Sequence, residues 1–386
     1  MRDKMLKHDQ LYIKQQNKQW VYELIKTKEP LTKPDLVKHT KMSPTSINRI
    51  VNDLISENLI YEKDNDTKSV GRNAVFLQIN RDARCSIGLE FDMSVIRIGV
   101  INLKGELTYM KEVPFSVRAN PDSAIDKSVS MMNELILEQG IDREKILGVG
   151  VGLPGYIDDK KGKVIHSDQL IWKDMNIAQL ILDKTDFQTV VDNELKMQAV
   201  SEKHTWKENE EETMVLVGIG SGIGAAVLIN GEIYRGSSNT AGEIGHSIVN
   251  PNGNVCKCGK VGCLASYISE RSLIQQAATA MQAESMADLA HYYEQGQPLV
   301  KLILEQAVMY LAIAIGNIYT TYDPKLVVLS GQFFKYFPRL KTELEIRLNQ
   351  YSQHDDAKRI KYSTLQNKGV VLGAGIVAGE RFLELG

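Results

Sequence analysis

The sequence predicts an α/β protein in which an N-terminal winged helix-turn-helix precedes a duplicated, two-lobed α/β body. Three observations predict it. Residues 1–80 carry short amphipathic helical patterns followed by a hairpin pattern. A strand–turn–strand–turn–strand pattern then occurs twice in the rest of the 386 residues. Finally, three of the four cysteines fall in one turn, Cys256-Lys-Cys258-Gly-Lys-Val-Gly-Cys263, shortly after Gly242-Glu243-Ile244-Gly245-His246.

A chain of this length exceeds one comfortable hydrophobic core, so two or three domains are expected. The expected boundaries are 1–80 for the winged helix-turn-helix, 81–200 for a first lobe completed by 370–386, and 201–369 for a second lobe carrying the cysteine loop. No apolar stretch reads as long enough to span a membrane, and the polar N-terminus lacks a signal-peptide core, so no membrane partner is expected. The cysteines give no disulfide framework, which makes the cytoplasm the expected location. Charge is uneven. Residues 1–80 hold 14 Lys and Arg against 10 Asp and Glu, whereas the remainder is net acidic. A basic module ahead of an acidic body suits a polyanionic partner for the first part only.

Within that module, Trp20, Val21, Leu24 and Ile25 have helical spacing over Gln16–Thr27. Thr32 with Asp35 three residues on is a capping box, and Pro34 fits the first turn of a second, short helix. Ser43-Pro44 opens a third, whose Ile47, Ile50, Val51, Leu54 and Ile55 make one apolar stripe. Its opposite face carries Thr45, Ser46, Asn48, Arg49 and Asn52. That face offers donors and acceptors for base edges and phosphates, and no carboxylate to repel them. Leu59-Ile60-Tyr61, a polar tip, Gly71-Arg72 and Val75-Phe76-Leu77 then read as a wing. The order points to double-stranded DNA as partner, with Thr45, Ser46, Asn48, Arg49 and Arg72 as contacts and Arg49 as the best base reader.

In the body, Ser86–Phe91, Ile96–Ile101 and Glu106–Val113 read as strands, Ala124–Gln139 as a helix and Ile146–Gly152 as a fourth strand. Met214–Gly218, the turn Gly220-Ser-Gly-Ile-Gly224, Ala225–Ile229 and Glu232–Tyr234 repeat the opening. Two such copies argue for duplication and for a ligand-binding cleft between the lobes. Cys256, Cys258 and Cys263, with turns relieved by Gly259 and Gly262, can wrap one ion. His246 completes a Cys₃His set, which is the closed, structural type of zinc site with no open position.

Gly150-Val-Gly-Leu-Pro154-Gly155, Gly220-Ser-Gly-Ile-Gly224, Ala241-Gly-Glu-Ile-Gly-His246, the cysteine loop and Asp323-Pro-Lys-Leu-Val-Val-Leu-Ser-Gly331 together resemble the ROK family of repressors and sugar kinases. With a winged helix ahead of the body, the chain resembles the branch that holds the xylose and N-acetylglucosamine repressors. The resemblance implies an actin/hexokinase-like fold, a sugar site in the cleft, structural zinc, and homodimers or higher oligomers on palindromic operators. On that implication Asn193, Glu194, Glu243 and His246 form the sugar constellation.

The departures from the kinase pattern carry as much weight. Where the family's first phosphate loop reads Gly-x-Asp-x-Gly-Gly-Thr, this chain has Gly88-Leu-Glu90-Phe-Asp92-Met93-Ser94. A carboxylate at Asp92 repels phosphate by about 1 kcal/mol at 4 Å in water and several-fold more in a cleft. Glu194 stands where the kinases have an aspartate base, one methylene longer, and Lys196 is expected to pair with it or with Asp192. Ala265 replaces a sugar-holding glutamate, and Ser167-Asp168-Gln169 lacks the usual asparagine. No catalytic residue is therefore assigned. The reading is a repressor of sugar-utilisation genes released by a sugar. An ATP-dependent sugar kinase with an appended winged helix and an effector-independent repressor are the alternatives.

Overall fold

The computed structural model describes residues 2–64, 75–118, 120–206, 212–351 and 356–385. Helix α1 (Arg2–Lys28) starts earlier than its apolar spacing suggested and buries Val21, Tyr22 and Ile25. Trp20, which the spacing placed in the stripe, is 46% exposed. Thr32 caps α2 (Lys33–Thr40). Its hydroxyl accepts from the Asp35 amide at 3.3 Å, while the Asp35 carboxylate accepts from the Thr32 amide at 3.0 Å. Ser43 caps α3 (Pro44–Ser56), which buries Ile47, Ile50, Val51 and Leu54. Strands β1 (Ile60–Asp64) and β2 (Val75–Ile79) pair antiparallel as the wing, and Leu31 bridges to Leu77 beside them. The predicted wing tip, with Arg72, lies outside the described residues.

The hydrophobic core of this module is not self-contained. It takes in Ala83, Leu103 and Leu385 from the body, and ion pairs Lys26–Glu380 (3.1 Å) and Lys104–Glu29 cross the same seam.

The body opens with β3 (Cys85–Asp92), β4 (Val95–Asn102) and β5 (Leu107–Pro114), then α4 (Pro121–Glu138) and β6 (Ile146–Leu153). A small sheet of β7 (Tyr156–Asp158), β8 (Lys163–Ser167) and β9 (Trp172–Asn176) follows, then α5 (Ile177–Thr185), β10 (Thr189–Asn193) and α6 (Glu194–Trp206). The second half runs β11 (Met214–Ile219), β12 (Ile223–Ile229), β13 (Glu232–Ile233), α7 (Ala265–Ile268), α8 (Glu270–Ala277), α9 (Met286–Glu294) and α10 (Pro298–Tyr322). It closes with β14 (Leu326–Gly331), α11 (Phe333–Tyr336), α12 (Leu340–Tyr351), β15 (Ile360–Tyr362) and α13 (Gly369–Phe382).

The two main sheets repeat one topology. The orders β5-β4-β3-β6-β10 and β13-β12-β11-β14-β15 each combine an antiparallel meander with two parallel strands. The duplication expected from the sequence is thus visible as matched strand order. In the second copy β12 begins at Ile223, so the glycine turn is shorter than the sequence suggested.

Strand alternation sorts the two faces of the first sheet. Ile87, Leu89, Phe91, Val149 and Val151 pack in one cluster with residues of α4 and α5. Gly88, Gly150 and Gly152 face α13, and a Cβ on Gly150 would stand 1.9 Å from the Ala374 carbonyl oxygen. The glycine-rich β6 therefore exists to let a helix backbone lie directly on the sheet. Helix α6 packs on α13 on one side and on β11 and β12 on the other, so these two helices form the layer between the lobes.

One expectation needs correction. Helix α10 is long and apolar enough by composition to cross a membrane. Most of its apolar residues are used inside the second lobe, where Val300, Leu304, Ala307, Val308, Leu311 and Ile315 are fully buried beneath α7, α8 and α12, while Leu302 faces outward.

Gly150→Ala should lower unfolding free energy by about 3 kcal/mol in a urea melt, because neither the strand nor α13 can retreat without losing packing. Gly220→Ala, whose Cβ would meet nothing within 4 Å, should change it by less than about 0.5 kcal/mol.

Candidate functional site

Between the lobes lies a cleft of about 490 Å³. The first sheet contributes Glu90, Asp92, Met93 and Arg97 from β3, its turn and β4, and Asn193 and Glu194 come from the junction of β10 and α6. The second lobe faces them with Gly220–Gly222, Glu243, His246 and Glu270. All four residues assigned to sugar, Asn193, Glu194, Glu243 and His246, thus border one cavity. They come from two segments about fifty residues apart, one in each lobe, and only the fold brings these together.

Asn193 is largely engaged in holding the site's shape. Its carbonyl oxygen accepts from the Leu195 amide at 2.9 Å, and its amide nitrogen donates to the Gly155 carbonyl at 3.2 Å and to Glu194 Oε2 at 2.8 Å. Glu194 is pushed up to about pKa 8, first by burial and then by the negative fields of Glu90, Glu243 and Asp92. Burial also raises Glu243, whose carboxylate is bound by the Tyr156 hydroxyl. Lys196 does not pair with Glu194 or Asp192 as its position suggested. Its ammonium donates to the backbone carbonyl of Asn239 at 2.8 Å and to that residue's side-chain oxygen, while Arg235 takes Asp192 at 2.6 Å.

The segment matched to the first phosphate loop is filled by charge. Arg97 pairs with Glu90 at 3.0 Å, Glu112 at 2.6 Å and Asp92 at 3.6 Å. Glu90 is nevertheless pushed up to about pKa 7 by burial, and its Oε2 has no hydrogen-bond partner. Glu270, raised by burial and by Asp92, adds a further carboxylate at the start of α8. Its amide donates to the Gly220 carbonyl at 3.0 Å, which places it beside the glycine turn. Gln169 also reaches across the cleft, where its Oε1 accepts from the Ser221 hydroxyl at 3.1 Å. Arg97, Tyr156 and Glu270 were missed by sequence reasoning. No motif marks them, and only the alternation of β4, which turns Arg97 toward Glu90, hinted at the first.

His246, Cys256, Cys258 and Cys263 converge, with one ligand atom from each lying within 4.8 Å of all the others. Cys258 Sγ and Cys263 Sγ are 3.7 Å apart, and Cys256 Sγ is 3.8 Å from His246 Nδ1. Thiolates bound about 2.3 Å from a single zinc ion stand about 3.8 Å apart in a tetrahedron, so this donor set fits a closed site. Gly259 and Gly262, at φ +86° and +80°, make the reversals that fold the loop onto itself. His246 borders both this cluster and the cleft.

On the third helix Thr45, Asn48, Arg49 and Asn52 are exposed together. Ser46 is partly withdrawn, its hydroxyl 2.9 Å from that of Ser43. Asp53, the one acid of α3, leans away toward Lys14 at 3.7 Å.

Residues 86–381 match the ROK family. The xylose repressor of Bacillus spizizenii is 27% identical over 383 residues, spanning 98% of each chain. Among solved structures, a ROK family transcriptional regulator, homologous to the E. coli MLC protein, superposes with a TM-score of 0.80 at 24% identity, covering 97% of this chain and 98% of that one. The ROK hexokinase of Thermus thermophilus superposes with a TM-score of 0.66 at 24% identity, covering 77% of this chain and 98% of its own.

A carboxyl group raised by folding is tolerated at low pH and penalised as pH climbs through its folded-state value. Glu194→Gln should therefore gain stability relative to the parent protein as pH rises from about 5 to 8.5, by more than about 1 kcal/mol in paired denaturant titrations. A constant difference across that range would show that Glu194 is not buried as a strained acid.

Proposed function

The chain belongs to the ROK family, and from that premise we propose that it is a DNA-binding transcriptional repressor of sugar-utilisation genes, released from its operator by a sugar bound in the cleft. One observation carries this reading. The likeness to repressors runs the length of the chain, winged helix included, whereas the hexokinase likeness covers 77% of it. The carboxylate-free outer face of α3 supports the same conclusion, because a helix in the major groove must present donors and acceptors without repelling phosphate.

Arg49 is the base reader in this scheme, with Thr45, Ser46 and Asn48 around it and Arg72 as a phosphate contact. The protein acts as a homodimer, since a two-fold assembly reads two half-sites about one helical turn apart on a near-palindromic operator. It works in the cytoplasm, where operator and sugar meet. It is not a kinase. The Glu90–Arg97–Asp92 network occupies the ground a triphosphate would need, and phosphoryl transfer depends on neutralising that charge.

Zinc is the metal of the Cys₃His cluster, held by His246, Cys256, Cys258 and Cys263. Bound there it supplies no chemistry. It ties the loop that presents His246 and Glu243 to the cleft, and its binding energy becomes local folding energy.

Selection from random duplexes should enrich a palindrome. Arg49→Ala should lose about 1–3 kcal/mol of preference for it, and a saturating effector sugar should weaken operator binding about 5- to 150-fold. No enriched sequence would refute the DNA-binding reading. Metal analysis should find one zinc per chain, and Cys258→Ser should lower both metal content and melting temperature. An unchanged melting temperature in that variant would defeat the structural role.

A further inference from the structure

The two walls of the cleft are joined by a polar clasp that starts in the loop after β13 of the second lobe. Arg235 reaches from that loop to the first lobe. Its Nη1 donates to Asp192 Oδ2 on β10 at 2.6 Å, and its Nε stands 3.3 Å from Asp159 Oδ2, just after β7. Asn239 of the same loop donates from Nδ2 to the Ile157 carbonyl at 2.7 Å and to Asp159 Oδ1 at 3.3 Å. Its Oδ1 accepts from Arg235 Nη1 at 3.2 Å, which ties the two second-lobe side chains into one unit. Lys196 of α6 donates to the Asn239 carbonyl at 2.8 Å.

These contacts are stronger than a surface ion pair. The Asp192 side chain is 3% exposed, and a buried carboxylate deprived of its cation is costly to the fold that contains it. The loop is also shaped to deliver them. Asn239 sits at φ +58°, a left-handed turn that asparagine tolerates, and the Ala241 amide closes the loop on the Arg235 carbonyl at 3.2 Å.

Asp159, Asp192, Arg235 and Asn239 do not border the cavity, so they act on a ligand only through other residues. Their neighbours do border it. Asp192 Oδ1 accepts from the Asn193 amide at 2.8 Å on one wall. On the other, the Arg235–Ala241 loop runs directly into Gly242 and Glu243.

We propose that Arg235 and Asn239 are positioning residues that hold Asn193 and Glu243 at the separation a bound sugar requires, and so set how strongly the repressor responds to it. This rests on the reading of the cleft as a sugar site. A sugar touching both walls favours the same arrangement of the lobes as the clasp. Weakening the clasp lowers the share of molecules in that arrangement, and apparent sugar affinity falls in proportion. Operator binding without sugar does not suffer by this route, because the clasp favours the arrangement that releases DNA.

Two measurements on the full-length, zinc-loaded protein test this. In hydrogen exchange without sugar, Arg235→Gln should exchange at least about fivefold faster in residues 166–171 and 219–223, while α10 stays as protected as in the parent protein. Those two segments meet across the cleft through Gln169 and Ser221 and contain none of the clasp residues. The second measurement titrates D-xylose, D-ribose, D-glucose, D-mannose, D-galactose and N-acetyl-D-glucosamine. The sugar that binds the parent protein most tightly should bind Arg235→Gln about tenfold more weakly, with operator affinity in its absence unchanged or higher. Arg235→Lys, which keeps the charge but loses the fork, should fall between the two. Asn239→Gly, which preserves the left-handed turn, should move both readouts in the same direction as Arg235→Gln. Faster exchange confined to residues 235–241, a loss of protection that extends to α10, or an unchanged sugar affinity would overturn the positioning role. Should no sugar bind the parent protein, the sugar-site reading falls and the exchange pattern alone decides whether the clasp holds the lobes.

Discussion

Everything in this molecule hangs on the close approach of α13 to the glycine face of the first sheet. The helix backbone lies so near that a Cβ on Gly88 or Gly150 would stand 1.9 Å from one of its carbonyl oxygens, and a Cβ on Gly373 would stand 1.7 Å from the carbonyl oxygen of Met197 in α6. Such contact depends on backbone rather than side-chain packing and cannot be loosened by small repacking. It holds α6 in place, and α6 in turn carries Glu194 at its first turn and packs its other side on the second sheet.

The same helix joins the two ends of the protein. Val370, in its first turn, borders the cleft. Glu380 near its far end pairs with Lys26 of α1, and Leu385 just beyond enters the core of the winged helix. Any rearrangement that ligand imposes on the cleft floor therefore meets a rigid element that ends at the winged-helix module. A ligand shifts such an equilibrium only through differential affinity for its states. The physical connection that such coupling requires is built into the core.

Electrostatics then decides what the cleft can hold. In a phosphoryl-transfer site the protein must neutralise a polyanion. Here Arg97 is spent on the protein's own Glu90, Glu112 and Asp92, and burial drives Glu90 and Glu194 toward their neutral forms. The fold is one that a ROK hexokinase also adopts, but the arginine of this cleft is taken by the protein's own carboxylates. Function follows the site and not the fold.

Much was legible from sequence because it rests on local rules. Caps at Thr32 and Ser43, the stripe of α3, the doubled meander, and the cysteine loop with its upstream histidine depend on spacing within a few residues, and spacing is what a sequence displays. The extent of α1, the exposure of Trp20 and the burial of α10 were not legible, since a helical pattern does not say which face finds a partner. The convergence of Asn193, Glu194, Glu243 and His246 on one cavity was inferred through family likeness rather than spacing. Arg97, Tyr156 and Glu270 went unseen. Lys196 was given carboxylate partners by proximity in sequence, but Arg235 from the other lobe had already taken Asp192, leaving Asn239 as its acceptor. Local pattern thus determined the elements and the cysteine loop. Only the tertiary structure decided which charges share a cleft, because partners there are chosen by distance across two lobes, and that distance is set by the packing of α6 and α13.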